Sequence, residues 1–241
     1  MVEPMERYAD LLERATADDN VVGLLLVGSR AADAYVTEGS DVDAYVISAR
    51  SDPAWRTPHG DPVEVWPMDL DEFRHHALPG SPDEWNRATF LEARIALDKL
   101  DGEIAALVER KRQLDAAERD RLASSALDAY INSTYRSLKS LEAGRPLEGR
   151  LDALESVSPL LTTAFAMEGR VRPFNKWLRH ELELRPLAWS GLTGIVERLA
   201  DGTDAKVIRS VFRTVEERAH AAGLGAVVDG WEPDVRWMRG A

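Results

Sequence analysis

No cysteine occurs in the 241 residues, which excludes a disulfide framework, thiolate zinc sites and a cysteine nucleophile. Long hydrophobic runs are also missing. The longest, VVGLLLVG at 21–28, falls far short of the roughly 20 apolar residues of a membrane-spanning helix. The opening MVEPMERYADLLER is charged and has no signal-peptide core. A cytoplasmic protein with no membrane partner is the expectation. Positive charge is scarce: 30 Lys and Arg face 42 Asp and Glu, a formal net charge of −12. Nucleic-acid binding rests on neutralised phosphates, so no stable nucleic-acid partner is expected, and an acidic surface favours cationic ones. The Walker phosphate loop, GxGxxG and GxSxG are absent, which disfavours the folds that carry them.

What is present is a globular balance of 44% apolar and 30% charged residues. The charge is uneven. Residues 1–100 hold 20 acids and 9 bases, net −11, whereas the remainder is nearly neutral. Met5, Tyr8, Leu11, Leu12 and Ala15 recur at helical spacing between Glu3 and Ala17. The apolar run Val21–Val27 reads as a buried strand, and Ala31–Val36 as a helical turn. A second strand starts near Asp41, and Val63-Glu64-Val65-Trp66 alternates as a third. A helix is expected from Leu70, another capped by Ser81 with Pro82 at its first position. Ala93–Leu97 reads as an edge strand and Glu103–Gln113 as a helix. Beyond that, helical periods run through 122–143, 150–168, 173–183, 192–200 and 205–222, punctuated by glycines that include Gly202. The tail from Trp231 to Ala241 shows no period. The pattern is α+β at 1–114 followed by an all-helical domain at 115–241.

The strongest chemical signal is VGSR…EGSDVDAYVI. A strand ends in Gly28-Ser29, eleven residues intervene, and Asp41-Val42-Asp43 opens the next strand. Residues two apart on a strand share a face, so Asp41 and Asp43 present two carboxylates together. Such a pair is unfavourable without a counter-ion, and Mg²⁺ takes carboxylates plus substrate phosphates. The other reading of Asp-x-Asp is a solvated turn. Gly28 lets a phosphate approach the backbone, and Ser29 offers an N–H and a hydroxyl. Glu64, on the following strand, either faces solvent or adds a third carboxylate. Arg30 either pairs with a phosphate or joins a surface ion pair. Arg170, Arg172, Lys176 and Arg179 form a basic stretch, read either as a phosphate-binding helix start at Pro173 or as a solvated face.

These motifs resemble the polymerase-β-like nucleotidyltransferase superfamily, with bacterial antibiotic nucleotidyltransferases such as the aminoglycoside adenylyltransferases as the nearer likeness. The resemblance covers residues 21–69, and ARIALDKLDGEIAALVER at 93–110 is similar to the strand, turn and helix that close such a domain. GRVRPFNKWL at 169–178 resembles a segment in which a lysine meets the nucleotide phosphates. The resemblance implies a small mixed-sheet catalytic domain followed by a helical bundle. It implies Asp41 and Asp43 as holders of Mg²⁺ and Glu64 as metal ligand or general base. It also implies Gly28, Ser29, Arg30 and Lys176 at the nucleotide. The implied reaction moves AMP from ATP to a hydroxyl of a small cationic molecule, in a monomer or homodimer. A protein- or tRNA-modifying toxin-like enzyme and a non-catalytic nucleotide-binding protein are the alternatives. His75-His76 reads as surface or packing, and Trp66, Trp85, Trp177 and Trp189 as core or stacking residues. Arg56 and His59 have no assignable role.

Overall fold

The computed structural model describes residues 4–201 and 204–240. Glu3, Gly202 and Ala241, which figured in the sequence reading, lie outside the described residues. The described architecture is α+β, with a mixed sheet in the first part and helices after it. The chain divides into two compact units. One is Met1–Gln113 with Pro173–Glu181, the other Leu114–Arg172 with Leu182–Ala241. The short segment from the helical half is thus part of the sheet unit.

In the sheet unit, α1 (Pro4–Ala17) leads into β1 (Val21–Val27), followed by the short α2 (Gly28–Ala32) and β2 (Val42–Ser48). Then come β3 (Val63–Asp69), α3 (Leu70–His75), β4 (Arg94–Asp98) and α4 (Glu103–Arg112). The strand order is β3-β2-β1-β4. β1 runs antiparallel to β2 and β4, and β2 parallel to β3. All seven residues of β1 are buried because both of its faces are covered. On one side, Leu24, Val42, Ala44, Val63 and Val65 pack with Tyr8, Leu11 and Ala15 of α1. On the other, Leu25, Tyr45, Ile47 and Met68 pack with Phe73, Phe90, Ile104 and Val108. Pro67 is tolerated in β3 because that strand is at the sheet edge.

The helical unit is built on α5 (Ala116–Glu142) and α6 (Pro146–Met167). Asp115 and Glu118 form a capping box that starts α5 at 116, earlier than the apolar period beginning at Leu122 suggests. The two helices close tightly at Gly149, where a Cβ would fall 2.6 Å from Leu141 Cγ. Ser137 Oγ donates to the Gly149 carbonyl there at 2.7 Å. After α7 (Leu178–Leu184), whose first turn belongs to the sheet unit, come α8 (Leu192–Asp201), α9 (Ala205–Ala221), α10 (Gly225–Asp229) and α11 (Asp234–Arg239). Among the described residues, no helix is long and apolar enough to cross a membrane.

Four local expectations need correction. The helix after β1 is Gly28–Ala32, not 31–36, because Asp33 at φ 53° and Tyr35 at φ 55° are left-handed and end it. The segment after Ser81 is a 3-10 helix, Glu84–Phe90, preceded by Asp83 and closed by i→i+3 bonds such as Asn86 N–H to Asp83 O. Pro173 begins no helix: a 3-10 turn at Asn175–Trp177 precedes α7. The tail from Trp231 holds α11, six residues long and too short to show a period, and α10 lies just before it.

Candidate active site

The turn after β1 sets the site. Val27 pairs with Asp43 across the β1–β2 ladder. Gly28 then turns with φ +72°, and a Cβ there would lie 2.4 Å from Asp43 Oδ2. Only glycine gives both that backbone conformation and that clearance. The Asp43 carboxylate therefore lies against the backbone of the turn, and the hydroxyl-bearing Ser29 follows, buried. Asp41, immediately before β2, is exposed, and Asp43 is half-buried. Gly28, Ser29, Asp41, Asp43 and Lys176 all line one cavity of about 470 Å³, wholly within the sheet unit.

Glu64 sits directly beside Asp43 in the parallel β2–β3 register. Val63 and Val65 are in the core on the α1 side, so alternation puts Glu64 on the same face as Asp43. Its carboxylate turns toward the 59–60 loop. Gly60 N–H donates to Oε1 at 3.4 Å, and His59 Nδ1 lies 3.5 Å from the same oxygen. Glu64 does not line the cavity wall that Asp41 and Asp43 share. Among the described residues, no group of three or more His, Cys, Asp or Glu side chains stands ready to hold a metal.

Charge is concentrated here. The Asp43 carboxyl is pushed up to about 6, first by burial, then by Asp41 and Glu64, with Lys176 opposing. Repulsion between acids is thus relieved by one cation. A Mg²⁺ ion fits this donor set: it is usually held by one or two carboxylates with substrate phosphates and waters completing its shell. Asp41 and Asp43 are the residues that could hold such an ion, with Glu64 beside Asp43 in the register.

Lys176 arrives from the segment 173–181. Its ammonium lies 5.1 Å from the Trp177 ring centroid. Tyr35 packs on Trp177 and His180, with centroids 5.3 and 6.0 Å away, so the left-handed loop after α2 grips this segment. Arg30, Arg170 and Arg172 go elsewhere, and Arg179 does not line the cavity. Arg30 donates to the Ser40 carbonyl at 3.1 Å and does not line the cavity. Arg170 lies over Phe165 and near Glu168, and Arg172 donates to Ser158 Oγ at 2.6 Å, both within the helical unit.

The far part of the cavity was not legible in the sequence. Tyr45 is one pleat step beyond Asp43 on the same face, with Trp66 beside it in the register. Asn86 Nδ2 donates to the Tyr45 hydroxyl at 2.8 Å and meets His76 Nε2 at 3.2 Å. Thr89 Oγ1 donates to Asn86 Oδ1 at 2.6 Å. Since the amide nitrogen only donates, His76 Nε2 accepts, and its proton is on Nδ1, 3.4 Å from Asp83 Oδ2. The ring is neutral, so this is no ion pair, and the Nδ1–H faces the Asp83 carboxylate without making a well-aligned hydrogen bond. His76 is thus a buried floor residue, while His75 is exposed. Trp66, Trp85 and Trp177 line the cavity, whereas Trp189 is buried in the helical unit.

No protein-family model matches the chain, and no curated protein matches it. Among solved structures it is similar to a nucleotidyltransferase-like protein from Exiguobacterium sibiricum 255-15, at a TM-score of 0.51 and 14% identity. The match covers 91% of this chain and 77% of the other. At that identity the likeness is one of fold: this chain has a nucleotidyltransferase-like fold.

Proposed function

We propose that this protein is a Mg²⁺-dependent nucleotidyltransferase that moves a nucleoside monophosphate, AMP from ATP in the simplest case, to a hydroxyl of a small molecule. One observation carries the reading: the glycine turn pressed against Asp43, in a cavity shared with Asp41 and Lys176. The turn gives a phosphate close access to backbone, the carboxylates hold the metal, and Lys176 neutralises phosphate charge. In the transfer, the acceptor oxygen bonds to the α-phosphorus as the bond to the bridging oxygen breaks. Pyrophosphate departs with that electron pair, and the hydroxyl proton passes to a carboxylate. Bound Mg²⁺ would supply charge stabilisation to the leaving and attacking oxygens. Glu64, beside Asp43, is the base or a further ligand.

A cavity of about 470 Å³ suits a small molecule rather than a protein loop or tRNA end. Asp41 and Asp43 stand on its wall, and the first hundred residues carry a net charge of −11, which favours a cationic acceptor such as an aminoglycoside. The test is incubation with ATP, CTP, GTP or UTP, Mg²⁺ and an antibiotic panel, read by mass spectrometry. A product heavier by one nucleotide is expected, and absent from Asp41→Asn and Asp43→Asn. Transfer at wild-type rate in either variant would remove the metal assignment.

A further inference from the structure

We propose that the far end of the cavity is a nucleobase subsite, in which the Tyr45 phenol donates its hydrogen to the base of the donor nucleotide and Asn86 aims it. This rests on the nucleotidyltransferase reading and names where its substrate's ring goes. The argument is a count of donors. The Tyr45 oxygen already accepts from the Asn86 amide, so its own hydrogen must go elsewhere. Asn86 is fixed, with its nitrogen engaged by Tyr45 and His76 and its oxygen by Thr89. The Tyr45 ring cannot swing, being packed on Trp66, His76 and Phe90 at 5.7, 5.8 and 5.5 Å between centroids. Among the described residues the phenolic hydrogen has no protein acceptor, and Tyr45 lines the cavity.

The surroundings select a ring. Trp66 and Trp85 are the neighbouring aromatic surfaces, and Trp85 is 71% exposed, an unusual state for so large an apolar side chain. Among the described residues the only lysine or arginine on the cavity lining is Lys176, on the segment beside the acids, so the Tyr45 end offers no lysine or arginine to a phosphate. Spacing selects the nucleotide's own ring. Tyr45 and Trp66 follow Asp43 and Glu64 by two residues, one pleat step or about 6.6 Å, roughly the span of the ribose between a phosphate and its base. A ring is obligatory in the donor and optional in the acceptor.

Calorimetry of ATP and of inorganic tripolyphosphate, each with Mg²⁺, tests this on the full chain. Tyr45→Phe removes one oxygen and keeps the packing. It is expected to weaken ATP binding roughly three- to tenfold, the loss of one neutral hydrogen bond, and to leave tripolyphosphate unchanged. Asn86→Ala should move ATP in the same direction and cost nothing further on top of Tyr45→Phe. Unchanged ATP affinity in Tyr45→Phe, or parallel loss of both ligands, overturns the subsite while the nucleotidyltransferase reading stands. Failure of the wild-type chain to bind either ligand overturns both.

Discussion

Replacing Gly28 with alanine tests the centre of the site with one carbon atom. Two effects add. Alanine at φ +72° takes a left-handed conformation that costs about 1–2 kcal/mol. Its Cβ would also lie 2.4 Å from Asp43 Oδ2, so the carboxylate must retreat by about 1 Å to reach ordinary contact. With a total near 2 kcal/mol and the roughly 2–4 °C per kcal/mol expected at this chain length, melting should fall by about 4–8 °C. A displacement of that size at the reacting centre should lower transfer by about 10²-fold. Gly80→Ala separates the two effects. Gly80 has φ +85° with nothing within 4 Å of a built Cβ, so it takes the backbone strain alone. Its melting temperature should fall by a few degrees while transfer survives. Differential scanning calorimetry and initial rates with Mg²⁺–ATP provide the readouts. Wild-type turnover and Mg²⁺–ATP affinity in Gly28→Ala would refute the claim that the turn positions Asp43.

Three further outcomes are expected. Lys176→Ala should weaken tripolyphosphate binding, and Tyr35→Ala should do so by releasing the segment that carries it. In a double-mutant cycle Tyr35→Ala should cost little more once Lys176 is gone; additive losses would mean that Tyr35 acts by another route. Glu64→Gln should cut transfer by about 10²–10⁴ and spare much of the ATP binding if Glu64 is the base; a marked loss of Mg²⁺–ATP affinity would make it a metal ligand instead. Lys111 is fully buried, donates to the Phe73 carbonyl at 2.7 Å and lies over the Phe73 ring. Burial, then Arg87 and Arg110, push its ammonium down to about 8. Above that pH the folded chain sheds a proton that the unfolded chain retains, so stability should rise with pH. The gain from pH 7.5 to 9.5 by urea titration should be about 2 kcal/mol at a limiting 1.4 per pH unit, and Lys111→Met should flatten it. A wild-type profile that is flat or falling there would contradict the assignment. Tyr8 and Tyr45, pushed up to about 12 by burial, oppose the trend only above pH 10.

Strands were legible where physics leaves a linear trace. β1 is apolar at every position because both faces are covered, and Val63 and Val65 alternate because one face of β3 meets α1. Asp41, Asp43 and the glycine turn could be read as a group because a hairpin-like ladder converts sequence spacing into adjacency. The 3-10 helix at Glu84–Phe90 was misread because Ser81-Pro82 carries a good cap signature that the backbone does not use. His59 beside Glu64 had no signal, since a loop histidine announces no partner. The His76–Asn86–Tyr45 chain was equally silent: its members are 10 and 41 residues apart, and only folding brings them to one wall.

The basic segment shows most clearly how composition and position part company. Four cations between 170 and 179 form one cluster in sequence, and a helix starting at Pro173 would have carried Lys176 and Arg179 on one face. The chain instead crosses a boundary at Pro173. Arg170 and Arg172, before it, are engaged by Phe165, Glu168 and Ser158 of the helical unit. Lys176, after it, is carried by a 3-10 turn whose Trp177 is gripped by Tyr35. A helix there would have rotated successive residues by about 100° each and aimed the cations along a stripe. The tighter turn puts Lys176 on the cavity wall, whereas Arg179, on α7, is not on it; Lys176 is the cation acting on Asp43 against Asp41 and Glu64. A site with three carboxylates and a single lysine is left electrostatically incomplete by the protein alone. On the proposed reading, metal and triphosphate bind together, because the cation alone leaves no anion for Lys176 and the triphosphate alone is repelled by the acids. Nucleotide affinity should therefore collapse when Mg²⁺ is chelated, by far more in the wild-type chain than in Asp43→Asn, whose missing charge is the one the metal offsets.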